Sequence, residues 1–418
     1  MDYIKLFKSA KIFTPIDLGH PIAGKHMNQT YCYDSGAMLV KNGYIESVGE
    51  YEDVMRAADS CNIDVEVDCG GRCMMPGFVD AHTHACFIGL REREFLMRLN
   101  HASYLDIHKA GDGINCTVSK VRNATPDELY HATMEITNRA MKHGTTSMEV
   151  KSGYGLTVEQ EFKLLRVINR VGNCSPIDIV PTFLGAHCIP EEYRGRENDY
   201  TNLIINDMIP KVASDHLARF CDVACDEGFF SLANTRRILT AARSTGLGTK
   251  MHGDELGDFG AASLAAELKV DSVEHLLMAN DDGLEALSHA GVLAVLLPAT
   301  AFCLKDKYAR ARKMIERGMA VALATDCNPG SCYCESMEFV FCLAVLGMDM
   351  SVDEALTAAT LNSAYAVGLG GSTGSLDKSK KADFILLDGE SPAIIPYNIG
   401  TSSIQTVWKM GEIVYNKH

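Results

Sequence analysis

The chain has 418 residues, enough for one large domain or two smaller ones with a sizeable core. Hydrophobic residues make up 47% and charged residues 22%, ordinary values for a globular protein. Asp plus Glu outnumber Lys plus Arg by 54 to 39, a net charge of −15, which argues against nucleic acid as a partner because phosphate binding needs a basic face. No apolar run approaches the roughly 18 residues of a membrane span, and the charged opening Met1-Asp-Tyr-Ile-Lys5 is not of signal type. The 15 cysteines are odd in number and scattered through apolar stretches, so they read as reduced thiols in a cytosolic core. Cys332 and Cys334 lack the second pair that a thiolate zinc cluster uses.

Residues 1 to about 72 read as short strands and turns. Asn42-Gly43 between two β-type runs predicts a two-residue hairpin, residues 52–59 a short helix, and 63–68 a further strand. From about 73 to 370, short apolar runs alternate with helical stretches. The eight runs are 77–82, 145–150, 178–185, 219–225, 248–252, 270–274, 291–297 and 319–324. Good helices lie between them, among them 157–168 and 231–239. Eight strand–helix units over this length predict an α/β fold of (β/α)8, TIM-like barrel type. A doubly wound open sheet would more often show a Gly-x-Gly-x-x-Gly turn after its first strand, and none is present. Residues 371–418 return to strands, with Met410-Gly411 as a second hairpin turn. The economical arrangement is a barrel over 73–370 carrying the functional site, and a small β-sandwich-like domain composed of 1–72 and 371–418.

Functional residues of such a barrel gather at the C-terminal ends of its strands. Those ends carry His82 and His84, Lys151 to Tyr154, His187, Cys225 to Glu227, His252 to Glu255, Glu274-His275, Pro298, and Asp326. His82 and His84 stand two apart, so on a strand they share a side. Five histidines and one aspartate converging on a rim point to a metal site, since barrel strands otherwise favour Val, Ile and Leu. The histidines at 20, 26, 101, 108, 131, 143, 216 and 289 fall on no strand end and read as ordinary residues.

The segment Pro76-Gly-Phe-Val-Asp-Ala-His-Thr-His84, the pair His252 and Glu255, His275, and Thr325-Asp326 resemble the amidohydrolase superfamily. Glu149-Val-Lys-Ser-Gly-Tyr-Gly-Leu156, Val180 to His187, Leu296 to Phe302, and Ala324 to Ser331 resemble, more narrowly, the imidazolonepropionase family of histidine degradation. The likeness runs over about residues 36–415. It implies one zinc or iron ion per subunit held by His82, His84, His252 and Asp326. It implies Arg91 as ligand of a substrate carboxylate with Tyr154 and His187 beside it, and Asn328, Gly330 and Ser331 against the rest of the substrate. It also implies a homodimer. Binuclear relatives bridge two metals with a lysine on strand four, and Phe220 to Cys225 has none, in keeping with a single ion. The chain departs from the family pattern at Leu90, Asp112, Gly253, Ala299 and Cys327, none of them an implied ligand.

Hydrolysis of a cyclic amide needs an activated water, a polarised carbonyl and a proton for the leaving nitrogen. Glu255, three residues after His252, and His275 share that acid–base work jointly, and Asp326 can serve as base as well as ligand. Arg91 also supplies the cation that an acidic protein needs in order to bind a carboxylate, and its position relative to the histidines favours it over Arg93 and Arg98. The expected reaction is ring opening of 4-imidazolone-5-propanoate to N-formimidoyl-L-glutamate by a cytoplasmic enzyme. The rivals are a hydrolase of another lactam, an aminopurine or pyrimidine deaminase, and a metal-binding barrel that serves only as a scaffold.

Overall fold

The structure is a computed structural model that describes residues 2–58, 61–100 and 113–417. The position Asp112 therefore lies outside the described residues.

The amino-terminal strands are β1 (Ile4–Pro15), β2 (Thr30–Lys41), β3 (Tyr44–Glu50), β4 (Val65–Asp68) and β5 (Cys73–Pro76). The carboxy-terminal strands are β14 (Phe384–Leu387), β15 (Ile404–Lys409) and β16 (Glu412–Asn416). They form one mixed sheet in the order β16-β15-β14-β5-β1-β2-β3, with β4 on β1. Both expected hairpins are present. Asn42 and Gly43 have φ of 53° and 86°, Met410 and Gly411 have 49° and 71°, as two-residue turns of this type require. β1 bulges at Ser9, φ 57°, and the sheet curls there. Phe7 thereby meets Phe384 and Trp408 edge-on, each with centroids 4.9 Å apart, and these rings fill the core that the sheet encloses. Cys73–Pro76 pairs with both β1 and β14, so this strand, at the start of the expected barrel segment, lies in the terminal sheet.

The second sheet is the barrel. All eight expected strands form: β6 (Phe78–Asp80), β7 (Thr145–Lys151), β8 (Asp178–Ala186), β9 (Phe220–Cys225), β10 (Gly248–Gly253), β11 (Ser272–His275), β12 (Leu293–Leu296) and β13 (Val321–Leu323). They are parallel and paired in sequence order. The ring closes just beyond the ends of β6 and β13. There Asp326 N donates to His82 O at 3.0 Å and His84 N to Cys327 O at 3.0 Å. Asp80 clasps the same seam, accepting from Thr325 N at 3.0 Å and Thr325 Oγ1 at 2.6 Å. The closure therefore falls on the segments that carry His82, His84 and Asp326. Strand alternation sorts the residues: Met148 and Val150 join the outer core with the helices, while Glu149 and Lys151 point into the barrel.

The helices follow the sequence signals. Thr157 caps Val158–Cys174, Ser231 caps Leu232–Ser244, and Tyr51–Ala58 covers the predicted short helix. All fifteen cysteines are free thiols. Among the described residues no helix is long and apolar enough to cross a membrane.

Candidate active site

The strand ends bring the histidines together. His252 Nε2 lies 3.3 Å from His84 Nε2, and Asp326 Oδ1 lies 3.5 Å from His82 Nε2 and 3.6 Å from His84 Nε2. A tetrahedral ion at a metal–nitrogen distance of about 2.1 Å sets neighbouring ligand atoms about 3.4 Å apart, so this spacing suits such an ion. His82, His84 and Asp326 form one buried candidate group, and His82, His252 and His275 another. His82 Nε2 is buried without a hydrogen-bond partner, as a ligand atom facing a cation would be. The residues therefore fit a divalent metal.

The Nδ1 atoms of two of these histidines face carboxylates. His252 Nδ1 lies 3.0 Å from Asp222 Oδ2, and His82 Nδ1 lies 3.2 Å from Glu274 Oε2. A carboxylate beside Nδ1 favours the tautomer that frees Nε2 for a metal. Lys151 Nζ sits among these acids, 2.8 Å from Glu149 and from Asp222 and 3.5 Å from Glu274. Lys250 Nζ lies 3.2 Å from Glu149 and 3.4 Å from Glu274. All five side chains are fully buried. Burial alone would raise Glu274, but Lys151 and Lys250 outweigh it and hold its carboxyl at about 2. Asp222 is likewise held low, against burial, by His252 and Lys151. Sequence reasoning gave these residues no role. Charged side chains at inward positions of β7, β9, β10 and β11 were the available signal.

His275 leaves β11 with φ 73° and Asp326 follows β13 with φ 54°, strained backbones at the two places where side chains turn into the site. Asp326 Oδ2 accepts from Thr300 Oγ1 at 2.7 Å, which leaves Oδ1 toward the histidines. Burial pushes Asp326 up to about 6 and Glu255 up to about 7. Burial also pulls His275 down to about 4 and His187 to about 3, so both are neutral at pH 7. Glu255 Oε1 stands 3.5 Å from His275 Nδ1, and Asp226 at the end of β9 holds Glu255 by accepting its backbone N–H at 2.7 Å.

The remaining predicted residues line one side. His187 stacks on His84 with centroids 4.9 Å apart, and Tyr154 lies 5.3 Å from His187. A Cβ on Gly330 would fall 2.5 Å from Arg91 Nη1, so that guanidinium packs on the loop after Asp326. Arg91 gives Nε and one Nη2 proton to Glu94, at 2.7 and 2.6 Å, which orients it and leaves its Nη1 edge to the loop. Arg98 joins the same cluster through Glu94 and Gly330 O. Asn328 is turned onto its own loop. Its Oδ1 accepts from Gly330 N and Ser331 N, both at 2.8 Å, and its Nδ2 donates to Asp326 O at 2.7 Å. It thus shapes the loop instead of presenting a free amide. Of the departures from the family pattern, Gly253 leaves room beside Ala261, whose Cβ a substituent would meet at 2.8 Å, Ala299 and Cys327 are buried, and Leu90 is exposed.

Residues 73–414 match the model of the amidohydrolase family. An imidazolonepropionase of Syntrophobacter fumaroxidans is 51% identical over 405 residues, 97% of this chain and 96% of that one. The chain is a member of the imidazolonepropionases within the amidohydrolase family. A second family member, from Desulfotalea psychrophila, is 51% identical over 98% of this chain and 99% of its own. Among solved structures, a 5-methylcytosine deaminase of Klebsiella pneumoniae shares the fold at TM-score 0.72 and 14% identity, covering 99% of this chain and 98% of that one. The ochratoxinase of A. niger does so at TM-score 0.70 and 17% identity, covering 99% and 96%.

Proposed function

We propose that the chain hydrolyses 4-imidazolone-5-propanoate to N-formimidoyl-L-glutamate. The observation that carries this reading is the Arg91 guanidinium packed on Gly330, in the loop that follows Asp326. It sets a fixed cation on the loop four residues beyond Asp326 of the His/His/His/Asp group, and a ring bearing a propionate requires such a cation. The near-full-length relatives named imidazolonepropionase support it.

In this reading His82, His84, His252 and Asp326 hold one zinc or iron ion per chain. When bound, the ion supplies Lewis-acid polarisation and an acidified water near neutral pH. Glu255, poised near pH 7, takes a proton from the attacking water at its carboxylate and returns it to the leaving ring nitrogen. His275, neutral and with Nε2 lacking a partner, donates to the substrate carbonyl oxygen. Arg91 binds the propionate, Tyr154 and His187 pack on the ring, and Asn328, Gly330 and Ser331 shape the wall opposite. The same reading takes the protein as a cytoplasmic homodimer that binds no nucleic acid. Its free thiols and its net charge of −15 support the location and the last point. It divides the chain into a barrel, expected over 73–370 but without Cys73–Pro76, which pairs into the terminal sheet, and a composite of 1–72 with 371–418.

The test is turnover of fresh imidazolonepropanoate, followed by loss of ring absorbance and by product mass. Arg91→Ala should raise KM by about 10- to 100-fold, the worth of a charge-assisted pair. An unchanged KM, or ammonia release from an aminopurine panel in place of ring opening, would overturn the assignment.

A further inference from the structure

We propose that Glu161 is a positioning residue for the substrate side of the site: it holds the loop 152–156 in the conformation that sets Tyr154 and His187 beside the ligand histidines. The inference rests on the reading that those two side chains meet the substrate.

Glu161 stands in the first turn of the helix Val158–Cys174 and is fully buried, whereas Glu159 of the same turn is exposed. Its carboxylate reaches backwards, over the loop that precedes its own helix. Oε1 accepts from Gly155 N at 2.7 Å and Leu156 N at 2.8 Å, and Oε2 accepts from Gly153 N at 3.0 Å. Ser152 Oγ accepts from Leu184 N at 3.0 Å, which ties the same loop to β8 just before His187. Three backbone donors on two oxygens answer the demand that a buried carboxylate makes, since an unpartnered one is too costly to bury.

What the carboxylate holds is strained. Leu156 has φ 57° and Gly153 has φ 106°. The glycines on either side of Tyr154 serve this packing. A Cβ on Gly155 would meet Glu161 N at 2.5 Å, and one on Gly153 would meet Leu184 O at 3.0 Å and His187 Nδ1 at 3.1 Å. The two glycines thus let the loop lie close against the helix start and His187. Gly153 O in turn accepts from His187 Nδ1 at 3.0 Å, which makes the Nδ1–H tautomer of His187 and leaves Nε2 with a lone pair. One carboxylate thus sets the place of the Tyr154 ring and the tautomer of His187, neither of which it touches.

The experiment is a double-mutant cycle on KM with Glu161→Gln, Tyr154→Phe and the pair, with metal content measured in each. A glutamine turns an N–H₂ toward donors, so KM should rise about 10- to 50-fold, the loss of a hydrogen bond to a charged group. kcat should fall less and metal content should stay at the wild-type level. The double variant should be no worse than the worse single one. Ser152→Ala, which removes only the tie of this loop to Leu184 N, should show the same signature more weakly and serves if Glu161→Gln does not fold. Additive KM effects, or a lowered melting temperature with KM unchanged in either variant, would overturn the inference. A Tyr154→Phe variant with wild-type KM would instead overturn the substrate reading on which it rests.

Discussion

The barrel interior and the curled terminal sheet bury opposite chemistries. Inside the barrel lie Glu149, Lys151, Asp222, Lys250 and Glu274, all fully buried, with His82 and His252 above them. Inside the sheet lie Phe7, Phe384 and Trp408, the last two stacked with centroids 5.4 Å apart. Buried ion networks contribute little net stability, because desolvation offsets most of the attraction. Packed rings contribute much through area and contact. The barrel interior therefore serves the clustered histidines at the expense of stability, and the sheet compensates from outside the site. The loss of function and the loss of stability should separate along that line.

The largest effect should come from the barrel. His252→Ala removes a proposed ligand and leaves Asp222 without its imidazole. Metal content should fall well below one per chain and kcat by at least about 10³-fold, the equivalent of several kcal/mol. Elemental analysis alongside kinetics checks both, and full metal content would take His252 out of the ligand set. Next in size, Phe384→Ala should cost about 3–5 kcal/mol by emptying the centre of the aromatic cluster. A urea titration should show the loss, while metal content and kcat at 25 °C stay within about twofold. A parallel fall in kcat would show that the two regions are not separable.

How much of this was legible follows the same division. The eight barrel strands were readable because each is a short apolar run between helical stretches, and the hairpins because Asn42-Gly43 and Met410-Gly411 carry turn chemistry. The clustering of the histidines was readable because His82 and His84 keep strand period and the others fall at strand ends. Lys151 and Glu274 were in view at strand ends, but their partners depend on register across neighbouring strands, which no local pattern contains. Glu161 was hidden more deeply. Its partners are backbone N–H groups, which every loop has, and it looks like any acidic residue in a helix's first turn. The pairing of Cys73–Pro76 with β14 joins segments some 300 residues apart in sequence. Only the assembled sheet reveals it.

The smallest effect tests the seam between the two regions. Asp178 at the start of β8 receives Lys381 Nζ at 2.8 Å and Lys409 Nζ at 2.6 Å, so a barrel carboxylate is gripped by two lysines of the terminal segment. Burial alone would raise Asp178, but Lys409 and Lys381 outweigh it and hold it below its usual 3.8. A depressed carboxylate stabilises the fold above its unfolded pKa, and that contribution is lost as pH falls through the folded one. For Lys381, burial lowers the ammonium's pKa, but Asp178 outweighs it and holds it above 10.5, so its share is lost only as pH rises through that raised value. The pair should thus contribute a plateau from about pH 4 to pH 10. Lys381→Met should lower stability there by about 0.5–1 kcal/mol, the worth of a partly exposed pair. The gap to wild type should close as the pH drops below the ordinary carboxylate range. Denaturation midpoints at pH 7 and in acid measure it, and a gap that persists in acid would mean that Lys381 acts through the packing of its stem, not through its charge.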